Sequence, residues 1–265
     1  NSYLEKVSSY MQKGTTYSDI AVYLPVEDAW IKGVMPKDKQ FIWAWGYYEM
    51  RYVYFPDELE GFCPTWINHE FLEKASVENG FLKTGDAEYK ALYVDSEYLD
   101  YKVIKRLLEL AGDGLKIIIR KVPKEPGACP HSDYSNLTGE LMSSENVSAS
   151  IPADIGLSID GAELPPYWCR ADGDFMYIFF ANPTSKGLKF PLEYGQSLFE
   201  ETKRISAKIN FNGKSYPLEL IFEPYQSLLY KISGKKAEKI DISFVPGKPS
   251  VRMRPEGYDA PWLVK

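Results

Sequence analysis

The sequence predicts an α/β half followed by an all-β half: an open parallel sheet, then an antiparallel sandwich. Three observations predict it. Short apolar runs alternate with amphipathic helical patterns as far as about residue 120. Residues 122–166 then turn rich in Pro, Gly, Ser, Asn and Asp. Beyond them the apolar period becomes two, with turn signals between the runs. The boundary is placed at residue 150, giving an α/β domain over 1–150 and a sandwich over 151–265.

The opening residues read as a helix, with Leu4, Val7 and Met11 on one apolar stripe and Gly14 where a left-handed C-cap is wanted. No initiator Met, charged n-region or apolar leader core is seen at its start. A stripe needs a partner surface, so the chain is expected to be the C-terminal portion of a longer protein. Residues 19–25 are mostly apolar and stop at Pro25, which suits a buried parallel strand. Asn68 stands as an N-cap, with Ile67 and Leu72 spaced as a hydrophobic staple, and predicts a helix to Ala75. Between Gly80 and Gly85 the pattern allows a hairpin or turn.

Residues 89–95 form the next strand, and Leu99, Val103, Ile104, Leu107, Leu108 and Ala111 mark the helix after it. Residues 115–120 form a third strand. Strands separated by helices imply βαβ units, and so a sheet with helices on both faces. Residues 122–166 read as a linker with a short helical suggestion at 138–142. In the second half, strands are expected near 167–170, 175–180, 188–192, 204–211, 216–222, 227–232 and 239–245. Asn212-Gly213 is the sharpest turn signal, because a two-residue type I′ hairpin wants that pair.

Composition narrows the function classes. The chain is 45% hydrophobic and 26% charged, as globular proteins are, and no apolar run reaches membrane-spanning length. A net charge of -6 speaks against a nucleic-acid partner, because phosphate backbones are met by clustered Lys and Arg. Aromatics reach 15%, with 20 Tyr and 6 Trp, a composition common where sugar rings are handled and also in sandwich cores. The three cysteines, Cys63, Cys129 and Cys169, are spaced for neither a disulfide framework nor a metal site. Neither phosphate-cradling glycine motif occurs, so no cofactor is expected. Asp160, Asp172 and Asp174 stand near turns without the spacing of a calcium loop.

Several segments together resemble a known family. Ser18-Asp19-Ile20-Ala21-Val22-Tyr23-Leu24-Pro25 runs into Val26-Glu27-Asp28-Ala29-Trp30, and Ile67-Asn68-His69-Glu70-Phe71-Leu72 leads into Ala75-Ser76-Val77-Glu78-Asn79-Gly80. The strand ending at Asp95, the segment from Gly114 to Lys121, Asp174-Phe175-Met176-Tyr177 and Phe222-Glu223-Pro224-Tyr225 continue the likeness. The succession resembles the region after the catalytic barrel in α-L-rhamnosidase-type glycoside hydrolases of family 106. The resemblance implies a glutamine-amidotransferase-like (flavodoxin-like) domain that has lost its chemistry, then a β-sandwich. It implies a partner, the N-terminal (β/α)8 barrel of the same parent protein, which holds the catalytic glutamates and any calcium site. It also implies a periplasmic or secreted setting.

Catalytic signals are sparse. An amidotransferase-like or hydrolase site needs a nucleophile on a tight strand-to-helix elbow and a His to deprotonate it. Ser96 follows the strand without a flanking Gly, and the only histidines are His69 and His131. A Ser96/His131/Asp133 triad is conceivable; an N-cap at Ser96 is the plainer reading. Glu27 and Asp28 lie just past the carboxyl end of the first strand, where open sheets place functional loops. With Trp30 they are candidate substrate contacts, and the plainer alternative is a solvated loop with a cap at Asp28. Trp43 and Trp45 sit in an aromatic-dense stretch from 41 to 55 that suits the rim of a sugar site, or simple packing. The expected role is ancillary support of a glycoside hydrolase. The alternative is a non-catalytic carbohydrate-binding module using Trp168, Trp262 or the Trp43/Trp45 cluster, and an independent hydrolase comes last.

Overall fold

The computed structural model describes residues 2–32, 55–183, 201–234 and 236–243. Its first half is a parallel sheet built from β2 (Ile20–Tyr23), β3 (Thr65–Ile67), β7 (Ala91–Val94), β8 (Lys116–Ile119) and β9 (Val147–Ser148). They lie in the order β3-β2-β7-β8-β9, every neighbouring pair parallel. Counted along the chain this is 2-1-3-4-5, an order of doubly wound sheets.

Three helices cover one face. They are α3 (His69–Lys74), α4 (Tyr101–Gly112) and α5 (Tyr134–Met142), which bury Tyr23, Leu92, Val94, Ile117 and Ile119. The other face, with Ile20, Val22, Tyr93 and Ile118, packs against Leu59 of a 3-10 turn (Asp57–Leu59), Phe62 and Ile155. Helices on both faces were expected; among the described residues the second face is covered by turns and loops. Crossover handedness explains the split. The steps β3 to β7, β7 to β8 and β8 to β9 run the same way across the sheet, so right-handed crossovers stack their helices on one side. The step β2 to β3 runs backwards, and the described end of its connection, with Phe55, Leu59 and Phe62, lies on the other side.

Local signals explain several elements. Asn68 caps α3, its Oδ1 accepting from Phe71 N at 3.1 Å, and Ile67 and Leu72 are both buried in one cluster. The excursion after α3 is a three-stranded meander of β4 (Ser76–Glu78), β5 (Phe81–Thr84) and β6 (Ala87–Tyr89). The supposed linker instead supplies α5, the last strand of the parallel sheet, β9, and a strand of the second half, β10 (Leu157–Gly161). Among the described residues β9 is an edge strand, paired only to β8, and two residues suffice for it.

The second half holds two antiparallel sheets that share one core. The larger contains β11 (Tyr167–Asp172), β12 (Phe175–Phe180), β15 (Leu228–Ile232) and β16 (Ala237–Ile240). The smaller contains β10 (Leu157–Gly161), β13 (Lys203–Phe211) and β14 (Lys214–Phe222). Met176, Ile178 and Phe180 face Ile159, Ile209, Leu220 and Phe222 between them. Asn212 and Gly213 join β13 to β14 with φ of 49° and 73°, the left-handed pair a type I′ turn requires. The strand expected at 188–192 lies outside the described residues.

The opening helix, α1 (Ser2–Met11), packs on this second half, although a boundary at residue 150 groups it with the first. Tyr3, Val7, Tyr10 and Met11 lie against Tyr177, Phe179 and Leu229 on the outer side of the larger sheet. The buried stripe is thus shifted from the expected one, and Leu4 is 58% exposed. Tyrosines at 3 and 10 pack against this cluster by their rings, so the stripe includes residues that a purely apolar count omits. After the helix, Gly14 has φ 51°, and a Cβ there would lie 1.8 Å from Ala171 O. Arg170 then donates to Lys13 O (2.9 Å), Gly14 O (2.6 Å) and Thr16 Oγ1 (2.7 Å), and β1 (Thr15–Thr16) adds an edge strand to β11.

A buried carboxylate joins the halves. Asp19, 5% exposed at the amino end of β2, accepts from Tyr17 Oη (2.9 Å), Gly156 N (2.7 Å) and Leu157 N (3.2 Å), with Lys90 Nζ at 3.5 Å. Burial first, and then the Asp19 charge, push the Tyr17 phenol well above its ordinary pKa, so it stays a donor. Replacing Asp19 by Ala leaves two backbone N–H groups and a phenol without their acceptor. It is expected to lower unfolding free energy by about 3 kcal/mol, read by urea titration.

Candidate functional site

In doubly wound sheets the ligand crevice lies outside the carboxyl ends of the strands, where the strand order reverses. Here that point lies between β2 and β7. The loop after β2 runs through Pro25 into α2 (Val26–Lys32), and the loop after β7 runs through Asp95, Ser96 and Glu97.

Glu27 and Asp28 do stand at this point, and both are used to join the two loops. Asp28 Oδ1 accepts from Glu97 N at 3.1 Å and Tyr98 N at 2.7 Å, and Oδ2 accepts from Glu97 N at 3.1 Å. Glu27, 8% exposed, accepts from Tyr23 Oη at 2.9 Å and from Asp100 N at 3.2 Å. Burial, and then Glu27, raise the Tyr23 phenol far above its usual pKa. Two backbone N–H groups just after a strand are donors of the kind that hold an anion or an oxyanion. Asp28 takes that position with a charge of the chain itself. The expected solvated loop with a cap is therefore half right: Asp28 caps backbone donors, but across the crevice and not in its own helix.

The nucleophile reading does not assemble. Ser96 is 1% exposed and its Oγ has no hydrogen-bond partner. His131 Nδ1 bonds Glu125 Oε1, and its ring stacks on Tyr101 at 3.9 Å with planes 7° apart. Asp133 accepts from Tyr101 Oη at 2.8 Å. Each prospective triad member thus has another partner or none. Nor is Ser96 the N-cap of α4: Asp100 is, accepting from Lys102 N at 2.8 Å. The helix starts later because residues 97–100 are committed to Asp28, Glu27 and the neighbouring strand-like segment at Lys124.

An open cleft of about 920 Å³ lies between α2, α3 and α4, and Glu27 and Asp100 line it as well. Trp30 and Ile31 line one wall, His69 and Glu73 another, and Tyr101 with the stacked His131 a third. Trp30 is 75% exposed there. Arg106, also on the wall, is fixed by Leu72 O at 3.2 Å and by Glu109 at 2.7 Å, so it ties α3 to α4. Trp43, Trp45 and Trp262 lie outside the described residues. The Tyr101–His131 platform carried no sequence signal, because the two residues meet only through the return of the chain after β8.

Among the described residues no group of three or more His, Cys, Asp or Glu is arranged to hold a metal, and no helix is long and apolar enough to cross a membrane. Asp160 instead bonds Lys208 (2.8 Å) and Asn210 (3.1 Å) on β13. Neither a family model nor a curated protein matches this chain.

Two variants separate structural from chemical roles at the crevice. Asp28→Ala is expected to cost about 2 kcal/mol and to speed hydrogen exchange at the Glu97 and Tyr98 amides. Ser96→Ala removes a buried hydroxyl that has no partner, and is expected to leave stability equal or slightly higher by thermal melting.

Proposed function

We propose that this chain is the ancillary, post-barrel region of an α-L-rhamnosidase-type glycoside hydrolase that acts in polysaccharide degradation in the periplasm or outside the cell. In this reading the parallel-sheet half is a degenerate amidotransferase-like domain. It supports a catalytic barrel of the same parent protein and turns over no substrate itself. The observation that carries the reading is the closed crevice: Asp28 occupies the donors of Glu97 and Tyr98, while Ser96 is buried without a base. A domain whose ligand position is filled by its own carboxylate is suited to rigidity, not turnover.

A second reading, a carbohydrate-binding module, is favoured by one feature. Trp30 exposes three quarters of its surface at the edge of the cleft, and indole faces stack on the apolar faces of sugar rings. Trp168 on β11 is half exposed and offers a second such surface.

The chain alone is expected to show no hydrolysis of aryl rhamnosides or rhamnose-containing oligosaccharides, while the same chain preceded by the barrel is active. Turnover by the isolated chain overturns the ancillary reading. The binding reading predicts retention on a rhamnose-containing polysaccharide in affinity electrophoresis. Trp30→Ala would then weaken it about tenfold, the loss of one aromatic stacking contact.

A further inference from the structure

Cys63 and Cys169 come from different halves of the protein. Cys63 follows the 3-10 turn that covers the second face of the parallel sheet, and Cys169 is fully buried in the middle of β11. The turn is held to the other half by one backbone–backbone bond and one bond from a backbone N–H to a side chain. Ile159 N donates to Gly61 O at 2.9 Å, and Cys63 N donates to the Tyr167 hydroxyl at 3.1 Å. A Cβ on Gly61 would lie 2.3 Å from Ile159 O, which shows how closely the segments approach. Cys63 itself has φ 52°, in the left-handed region that non-glycine residues seldom enter. In this posture its side chain packs against the second-half core that contains Cys169.

Cys63 packs on the core cluster that contains Cys169, and its N–H bonds Tyr167, two residues before Cys169 on the same strand, so its thiol interacts with the thiol and the backbone N–H of Cys169. Those two donors, the thiol first, pull the Cys63 pKa below the ordinary thiol range. Burial, followed by the bond to Cys63, pushes Cys169 well above it. Cys63 is half-buried and Cys169 is enclosed, so an oxidant arriving from solvent meets Cys63 first. Cys129 is exposed on a separate loop and serves as an internal control.

We propose that Cys63 and Cys169 form an oxidisable dithiol that a hydroperoxide converts into a disulfide joining the two halves. The Cys63 thiolate attacks one oxygen of hydrogen peroxide, the O–O bond breaks, and hydroxide leaves, giving a sulfenic acid at Cys63. The Cys169 sulfur then attacks the Cys63 sulfur. The S–O bond breaks, and the departing hydroxyl takes the Cys169 proton to leave as water. Two thiol sulfurs lose two electrons in total and the peroxide gains them. The product closes a long loop between the halves, which stabilises chiefly by restricting the unfolded chain.

The test is disulfide mapping of the whole folded chain after treatment with hydrogen peroxide. Remaining thiols are blocked with N-ethylmaleimide, and the digest is read by mass spectrometry with and without dithiothreitol. The expected product is a Cys63–Cys169 linked peptide that dithiothreitol abolishes, with Cys129 still alkylated. The melting temperature should rise by roughly 5 °C on oxidation and fall back on reduction. Cys129→Ser should form the same link, and Cys169→Ser should accumulate a Cys63 sulfenic acid that dimedone traps. Sulfinic acid at Cys63 with Cys169 still free, or links formed only through Cys129, would overturn the proposal. Mapping on the unsubstituted chain decides the matter even where a variant fails to fold.

Discussion

The Asp19 carboxylate holds the two halves in register. A buried carboxylate is costly unless its lone pairs are met, and here a phenol, two backbone N–H groups and a nearby ammonium meet them. The four groups come from the segment before β2, from Lys90 between β6 and β7, and from the chain entering β10. Much else follows from that geometry. Gly156 must lack a side chain, because a Cβ would lie 2.5 Å from the Tyr17 hydroxyl. Tyr17 sets its ring edge-on to Phe211 at 6.0 Å and so carries the junction into the antiparallel core. Residues 15–23 form one spine, pairing first with β11 and then, past Asp19, with β3 and β7.

The same strand is clamped at its other end by two more carboxylates. Hydrogen bonds to a charged acceptor contribute about 1.5–3 kcal/mol each, so Glu27 and Asp28 fasten the loop after β7 firmly. Because Asp28 accepts from the Glu97 and Tyr98 N–H groups, the free energy of these bonds goes into the stability of the fold. This also explains how Ser96 can stay buried with an unpartnered hydroxyl: the neighbouring backbone is held strongly enough to bear the cost.

Elements specified by neighbouring residues were legible in the sequence. The Asn68 cap, the body of α4 from Val103 to Ala111, the period-two strands and the Asn212-Gly213 hairpin all depend on side chains within a few positions of one another. The start of α4 at Tyr101, with Leu99 outside the helix, was not legible. What escaped depends on partners far along the chain. The target of Asp28 lies some 70 residues away, that of Asp19 nearly twice as far, and nothing local distinguishes either carboxylate from a solvated one. The meeting of Cys63 with Cys169 is of the same kind. The α1 stripe was misplaced for another reason: Tyr3 and Tyr10 pack by their rings, which a pattern of aliphatic residues does not register. The stretch 122–166 looked unstructured because β9 is too short to show a period, and α5 is interrupted by polar residues.

These features make the parallel sheet asymmetric from end to end. Its amino end is occupied by the junction at Asp19, and one antiparallel sheet is further covered by α1. Its carboxyl end carries exposed Trp30 and Ile31 on α2 and exposed Phe71 on α3, the helices that flank the cleft. Large aromatic side chains bury on the order of 150–250 Å² each when covered. At about 25 cal/mol per Å² that gives several kcal/mol to whatever covers them. In the proposed reading, the barrel or its glycan approaches from this end. Rigidity supplied by Glu27 and Asp28 then has a purpose: α2 presents Trp30 from a fixed position, so a partner gains the contact without having to order the loop first.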